Sequence, residues 1–223
     1  MTGKLFIQAL TKYLVGLLQV GLLLFLPAGT FVYWQAWLFI GILFIPMLIV
    51  GIWTMAKQPE LLRKRLSAKE EQNEQKWVVA LSGLLFIAMF VVAGLNFRFG
   101  WLLMPEWTTY VASGIFLLGY ALYAEVMREN VWLSRTVEVQ QDQQVIDTGL
   151  YGIVRHPMYS ATLVLFLLMP LVLNSVWSFV LMLLYVPIIV KRIRNEEVVL
   201  ERDLAGYKEY SQRVRYRLIP YIW

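Results

Sequence analysis

No cysteine occurs in this chain of 223 residues, which excludes disulfides, thiolate metal sites and a cysteine nucleophile. Histidine is almost missing as well: His156 stands alone, so a histidine-rich metal centre is excluded and no metal is expected. Charge is scarce, at 16% of residues against about 25% in ordinary soluble domains. No glycine-rich strand-to-helix loop is present, so a Rossmann-type nucleotide domain is not an option. No internal repeat is evident.

What the chain has instead is apolar length. Hydrophobic residues make up 59% of it, against about 45–50% in soluble domains, and they fall in long blocks rather than short alternating runs. Blocks of spanning length cover Tyr13–Pro27, Phe31–Met55, Trp77–Leu95 and Trp107–Met127. The first is short and interrupted by Gln19; its long apolar core and the turn at Pro27-Ala28-Gly29 favour a span over a cleaved signal peptide. A fifth block, Met158–Val190, contains Pro170 and the polar pair Asn174-Ser175. As one helix it would reach about 50 Å, too long for a hydrocarbon core of about 30 Å. The sequence therefore predicts a helical hairpin turning at Asn174. The expected fold is all-α: a polytopic membrane bundle of five to six segments, the last block a hairpin, followed by an amphipathic C-terminal helix on the cytoplasmic side. Pro46 and Pro187 inside spans are expected to kink them.

Charge asymmetry gives the orientation. With six crossings, all but one of the 20 Lys and Arg residues fall on the same side, the exception being Arg98 in the loop Asn96–Glu106. Both termini are thus expected in the cytoplasm, and the net charge of +5 reads as a topology device and an anchor to anionic membrane lipid, not a nucleic-acid patch. Seven tryptophans near span ends, Trp132 among them, read as interfacial belts without chemistry. The loop Gln58–Gln75 reads as a solvated amphipathic connector.

Two stretches on the basic side differ from the rest. Ser134–Tyr159 is a polar run that turns at Gly149 and starts the hairpin at Pro157. Proline suits the first helical position, which makes His156 the expected N-cap, with Arg155 adding a positive charge to the dipole end. The second stretch, Lys191–Trp223, carries Arg192, Arg194, Glu196 and Glu197. Arg192 and Glu196, spaced i,i+4, would form a helix-surface ion pair in the plainest reading. The two ends of one hairpin emerge on the same side, so Arg155, His156, Tyr159, Arg192, Arg194, Glu196 and Glu197 are expected around one pocket, polar towards the cytosol and open laterally to lipid.

The pattern Gly149-Leu150-Tyr151-x-x-x-Arg155-His156-Pro157-x-Tyr159, followed by Glu196-Glu197-x-x-Leu200 and a Tyr-x-x-Tyr…Ile-Pro ending, resembles the isoprenylcysteine carboxyl methyltransferase family, in particular its short bacterial and archaeal members. The likeness runs from about Glu125 to the C-terminus. Arg-His-Pro-x-Tyr alone is shared with phospholipid N-methyltransferases and more loosely with membrane sterol reductases; its ordered combination with Glu-Glu-x-x-Leu is more specific. The resemblance implies an integral membrane methyltransferase using S-adenosylmethionine, with N-terminal spans over 1–127 and a catalytic region over 128–223. It implies that Gln140, Gln144, Gly149, Leu150, Tyr151, Arg155, His156, Pro157, Tyr159, Glu196 and Glu197 surround the cofactor. It places Arg192 or Arg194, with Glu197, in the chemistry. The family's Phe-Gly is replaced by Leu204-Ala205-Gly206-Tyr207, and the small residue after its Arg-His-Pro-x-Tyr by Ser160-Ala161. These departures leave the fold untouched and the substrate open.

Methyl transfer from a sulfonium is an in-line displacement in which the protein chiefly aligns the reactants. A carboxylate acceptor on a prenylated or other lipid-like substrate needs no base, only an orienting cation. The alternative is N-methylation of a phospholipid of the phosphatidylethanolamine type, which does need a base, and the acidic pair offers one. Two further readings are a lipid reductase and a membrane scaffold or transporter.

Overall fold

The structure, a computed structural model, describes residues 2–66, 73–134 and 136–223; Lys69, Arg135 and part of the loop Gln58–Gln75 lie outside the described residues. Nine α-helices are described: α1 Thr2–Ala28, α2 Trp34–Lys57, α3 Pro59–Leu66, α4 Asn73–Phe99, α5 Glu106–Glu129, α6 Pro157–Val172, α7 Val176–Met182, α8 Tyr185–Asp203 and α9 Tyr207–Arg213. No strand occurs among the described residues.

Five segments are long and apolar enough to cross a membrane: Gly3–Ala28, Trp34–Lys57, Lys76–Phe99, Glu106–Glu129 and Val176–Asp203. The sixth, α6, has 16 residues and spans about 24 Å, just short of a hydrocarbon core. Large apolar side chains such as Leu18, Leu26, Ile49, Leu84 and Leu118 are exposed on the outside of the bundle, as lipid-facing residues must be. The first span begins well before Tyr13: Lys4 and Lys12 ride on the helix, because a lysine near a helix end keeps its ammonium at the surface while its stem lies along apolar neighbours.

The hairpin turns where expected. Asn174 adopts a left-handed conformation (φ 55°), which asparagine tolerates better than most residues. Its side chain then closes a polar knot at the end of the bundle opposite most of the basic residues. Asn174 Oδ1 accepts from Met104 N (2.6 Å), and Nδ2 donates to Met104 O (3.0 Å). Asn96 donates to Leu102 O and Asn174 O, while Tyr33 OH donates to Leu173 O (2.6 Å). The returning limb is not one smooth helix. Pro187 has no N–H to offer the Leu183 carbonyl, which accepts from Val186 N instead (3.1 Å), and a tight turn separates α7 from α8. Pro46 lies inside α2, which continues through it, and the nearby carbonyls of Leu43 and Phe44 accept from the phenols of Tyr120 (2.8 Å) and Tyr13 (3.2 Å).

The core runs between α1, α2, α4, α5 and the hairpin, around Phe39, Met89, Phe116 and Met182. At Gly94, α4 touches α1 backbone to backbone: a Cβ there would lie 2.5 Å from Leu24 O and 3.1 Å from Ala28 N. Small residues permit such approach between membrane helices. The substitution G94A is expected to cost about 1–3 kcal/mol through forced separation of the two helices, as overpacking does. The check is the apparent unfolding temperature in detergent; an unchanged value would mean that α1 and α4 can part without cost.

Candidate active site

At the basic end of the bundle, α4, the stretches 130–134 and 136–146, α6, α8 and α9 enclose a cavity of about 490 Å³, within the range of small-molecule sites. One part of its wall is polar and aromatic: Tyr151, Arg155, His156, Tyr159, Arg192, Glu196, Tyr207 and Tyr210. Another is apolar, formed by Val78, Val79, Gly83 and Phe86 of α4 with Phe166 and Tyr185. Val79 and Gly83 are also exposed on the outer face of α4, so the apolar part borders the lipid-facing surface.

The Arg155-His156-Pro157 corner is built as expected. Pro157 opens α6, and His156 is its N-cap with no side-chain capping bond. Its backbone is tied to the C-terminal tail: Arg155 N donates to Tyr216 O and His156 N to Arg217 O, both at 2.9 Å. The imidazole turns towards Glu197, with Nε2 3.3 Å from Oε1. Arg155 Nε lies 3.0 Å from the same oxygen without the alignment of a hydrogen bond, so that contact is Coulombic. Arg217 Nε donates to Glu197 Oε2 at 2.7 Å. Glu197 thus faces three basic side chains, is buried, and lies outside the cavity lining. Its neighbour Glu196 lines the cavity and accepts from Tyr159 OH, which itself accepts from Arg192 Nε (2.9 Å). The i,i+4 pair expected between Arg192 and Glu196 is therefore bridged by a tyrosine on the facing helix.

The other expected residues fall into two groups. Gln144 lines the cavity, whereas Gln140, Gly149, Leu150, Pro157 and Arg194 do not. Arg194 is exposed, one position past Ile193, which points into the core. Gly149 has φ +49°, and a Cβ there would meet the Glu129 carboxylate at 2.2 Å. That carboxylate accepts from Thr148 Oγ1 (2.9 Å) and Leu150 N (3.2 Å), so Gly149 and Leu150 fasten the turn before Tyr151 to the end of α5. Gln140 Nε2 donates to Trp132 O (2.6 Å), and its carbonyl accepts from Lys64.

Several wall residues carried no signal in the sequence. Trp132, assigned to an interfacial belt, lines the cavity, with Lys64 5.3 Å from its ring centroid. The stretch 58–66, expected to be a solvated connector, forms α3, whose Leu61 and Leu62 are buried; its Arg65 reaches the cavity wall. The docking of α3 also fixes Lys12, which donates to Leu66 O (2.5 Å). Tyr151, Tyr207 and Tyr210 have phenols raised by burial, so they are neutral hydroxyls at physiological pH. Tyr151 OH accepts from Asn130 (2.9 Å) and Tyr210 OH donates to Tyr151 O (2.8 Å), but the Tyr207 hydroxyl is buried on the cavity wall with no partner. A buried hydroxyl without a partner is costly and marks a place where a ligand atom can bond. Among the described residues no cluster suited to a metal occurs.

The fold is that of a polytopic helical membrane protein with a cavity at the basic end of the bundle. Residues 107–205 match the family model described as phospholipid methyltransferase. The chain superposes on the structure of the eukaryotic intramembrane Ras methyltransferase ICMT (isoprenylcysteine carboxyl methyltransferase) with a TM-score of 0.57 and 19% identity, covering 91% of this chain and 74% of that one. The likeness of fold thus covers nearly the whole chain, well beyond the stretch that holds the Arg-His-Pro-x-Tyr and Glu-Glu motifs. The chain is also 31% identical over 91 residues to the delta(14)-sterol reductase TM7SF2 of Mus musculus, a match covering 40% of this chain and 22% of that protein. The chain therefore aligns with only about a fifth of this curated relative's length.

Proposed function

We propose that this protein is an integral membrane methyltransferase that uses S-adenosylmethionine to O-methylate the carboxylate of a prenylated or other lipid-like substrate, with its active site and both termini in the cytoplasm. One observation carries the reading: a single cavity joins the polar wall built by the two motif stretches to an apolar wall bordering the lipid-facing surface. The cofactor would supply an electrophilic methyl group. The unpartnered Tyr207 hydroxyl, the Glu196 carboxylate and the Tyr151, His156, Tyr159 and Gln144 side chains suit a molecule with an ammonium, hydroxyls and an aromatic base. Gln140, Gly149, Leu150 and Pro157 support these groups from outside the lining, and Arg155 lines the cavity beside His156.

Arg192 is the cation best placed to orient an acceptor carboxylate. It is half-buried in the cavity wall and held by Tyr159, while Arg194 is exposed and outside the lining. Phe86, Phe166 and Tyr185 help exclude water, which strips the carboxylate of solvent and strengthens its pairing with the guanidinium. Glu197 acts by position, holding Arg155 and His156 at the start of α6. The charge asymmetry supports the cytoplasmic assignment.

The second reading, N-methylation of an amino phospholipid, is favoured by the description of the family model over residues 107–205. It would use Glu196 as the base, since both Glu197 oxygens are engaged. The test is methyl transfer in inside-out vesicles supplied externally with radiolabelled S-adenosylmethionine. Label released by mild base is expected, as a methyl ester requires. Base-stable label in phosphatidylethanolamine derivatives would establish the second reading, and absence of transfer with no calorimetric affinity for the cofactor would reject both.

A further inference from the structure

The most informative unassigned group is Arg65. It lies at the end of α3, half-buried, and enters the wall of the cavity next to the apolar strip of α4. Its anchorage is firm: Leu61 and Leu62 are buried, and Lys12 binds the Leu66 carbonyl. Three arginines near the site discharge onto carboxylates, Arg155 and Arg217 onto Glu197 and Arg213 onto Asp147. Arg65 does not. Its guanidinium donates to the Tyr123 hydroxyl and lies 5.4 Å from that ring's centroid, and no carboxylate among the described residues pairs with it. A phenol and an aromatic face orient a guanidinium without neutralising it, so its charge remains available to a bound anion.

We propose that Arg65 is the second cation of the acceptor site: it binds the headgroup oxyanion of a lipid-like amphiphile whose apolar tail lies along Val79, Gly83 and Phe86. The inference rests on the methyltransferase reading and narrows its substrate. A carboxylate and a phosphodiester share the required chemistry, a delocalised oxyanion that a planar guanidinium can grip through two hydrogen bonds. With Arg192 lining the same cavity, the headgroup meets one guanidinium from α8 and one from α3. The apolar strip on α4 gives the tail a path that reaches the outer surface of the bundle. An uncharged amphiphile would fill the apolar strip but leave Arg65 without an anion, and so would bind less well.

The experiment uses the full-length protein in detergent, with probe binding followed by tryptophan fluorescence and S-adenosylmethionine binding by calorimetry. The probes are a farnesyl thioether carboxylate, its methyl ester, and dioleoyl phosphatidylethanolamine. The wild type is expected to prefer the carboxylate over the ester by about tenfold or more, the worth of a charge-assisted contact. R65A and R65Q should cut that preference severalfold, leaving the share that Arg192 supplies, with ester and cofactor affinities unchanged; R65Q retains a donor for Tyr123, which guards against misfolding. If only the phospholipid loses affinity in both variants, the oxyanion is a phosphate rather than a carboxylate, and the proposal stands in that form. Unchanged affinity for both oxyanion-bearing probes, or an equal loss for the ester, would overturn it. A wild type without cofactor affinity would instead reject the methyltransferase reading and leave the Arg65 result to be read by itself.

Discussion

Glu197→Ala is expected to lower the apparent unfolding temperature of the detergent-solubilised protein sharply, through a loss of about 3–5 kcal/mol. The carboxylate is buried among Arg155, His156 and Arg217, and its removal leaves Arg155 buried without its counter-charge. Replacing Arg217 should cost less, because that side chain is about one-third exposed (34%) and Glu197 keeps two partners. Affinity for S-adenosylmethionine should fall with E197A, since His156 and the start of α6 lose their brace. Should E197A unfold at the wild-type temperature yet lose all methyl transfer, Glu197 would be a direct participant in the chemistry rather than a positioning residue.

Arg192→Ala is expected to lower methyl transfer by about 100-fold or more, the scale of losing one group aimed at charge in a dry site. Arg192 binds Tyr159 and lines the cavity beside Glu196. Calorimetric affinity for the cofactor should change far less, which separates orientation of the acceptor from binding of the cofactor. Arg192→Lys should recover only part of the rate, because an ammonium cannot form the two parallel bonds of a guanidinium. Equal losses in R192A and R194A would point instead to a diffuse electrostatic effect of the whole α8 surface.

Much of the fold was readable because the bilayer constrains a chain so tightly. Apolar length marked the long spans, and charge asymmetry required the Met158–Val190 block to turn back, which it does at Asn174. The start of α6 was readable too, since proline and its N-cap act within a few residues. What escaped depends on contacts between distant residues. Nothing near Glu197 marks Arg217 as its partner, because the pairing exists only after the tail folds back on α6. Trp132 resembled any interfacial tryptophan until Gln140 and Lys64 were seen to hold its segment over the cavity. The α3 stretch looked solvated because four of its eight residues are charged; its two buried leucines, Leu61 and Leu62, decide where the helix docks.

The binding of the tail to the hairpin also sets an order of biosynthesis. The Arg155-His156 corner hydrogen-bonds to Tyr216 and Arg217, some sixty residues downstream. Those residues follow every membrane-spanning helix in the chain, so the corner cannot be completed until they emerge from the ribosome. The chain would therefore be threaded into the bilayer with its pocket unfinished, and the pocket would mature in a separate last step.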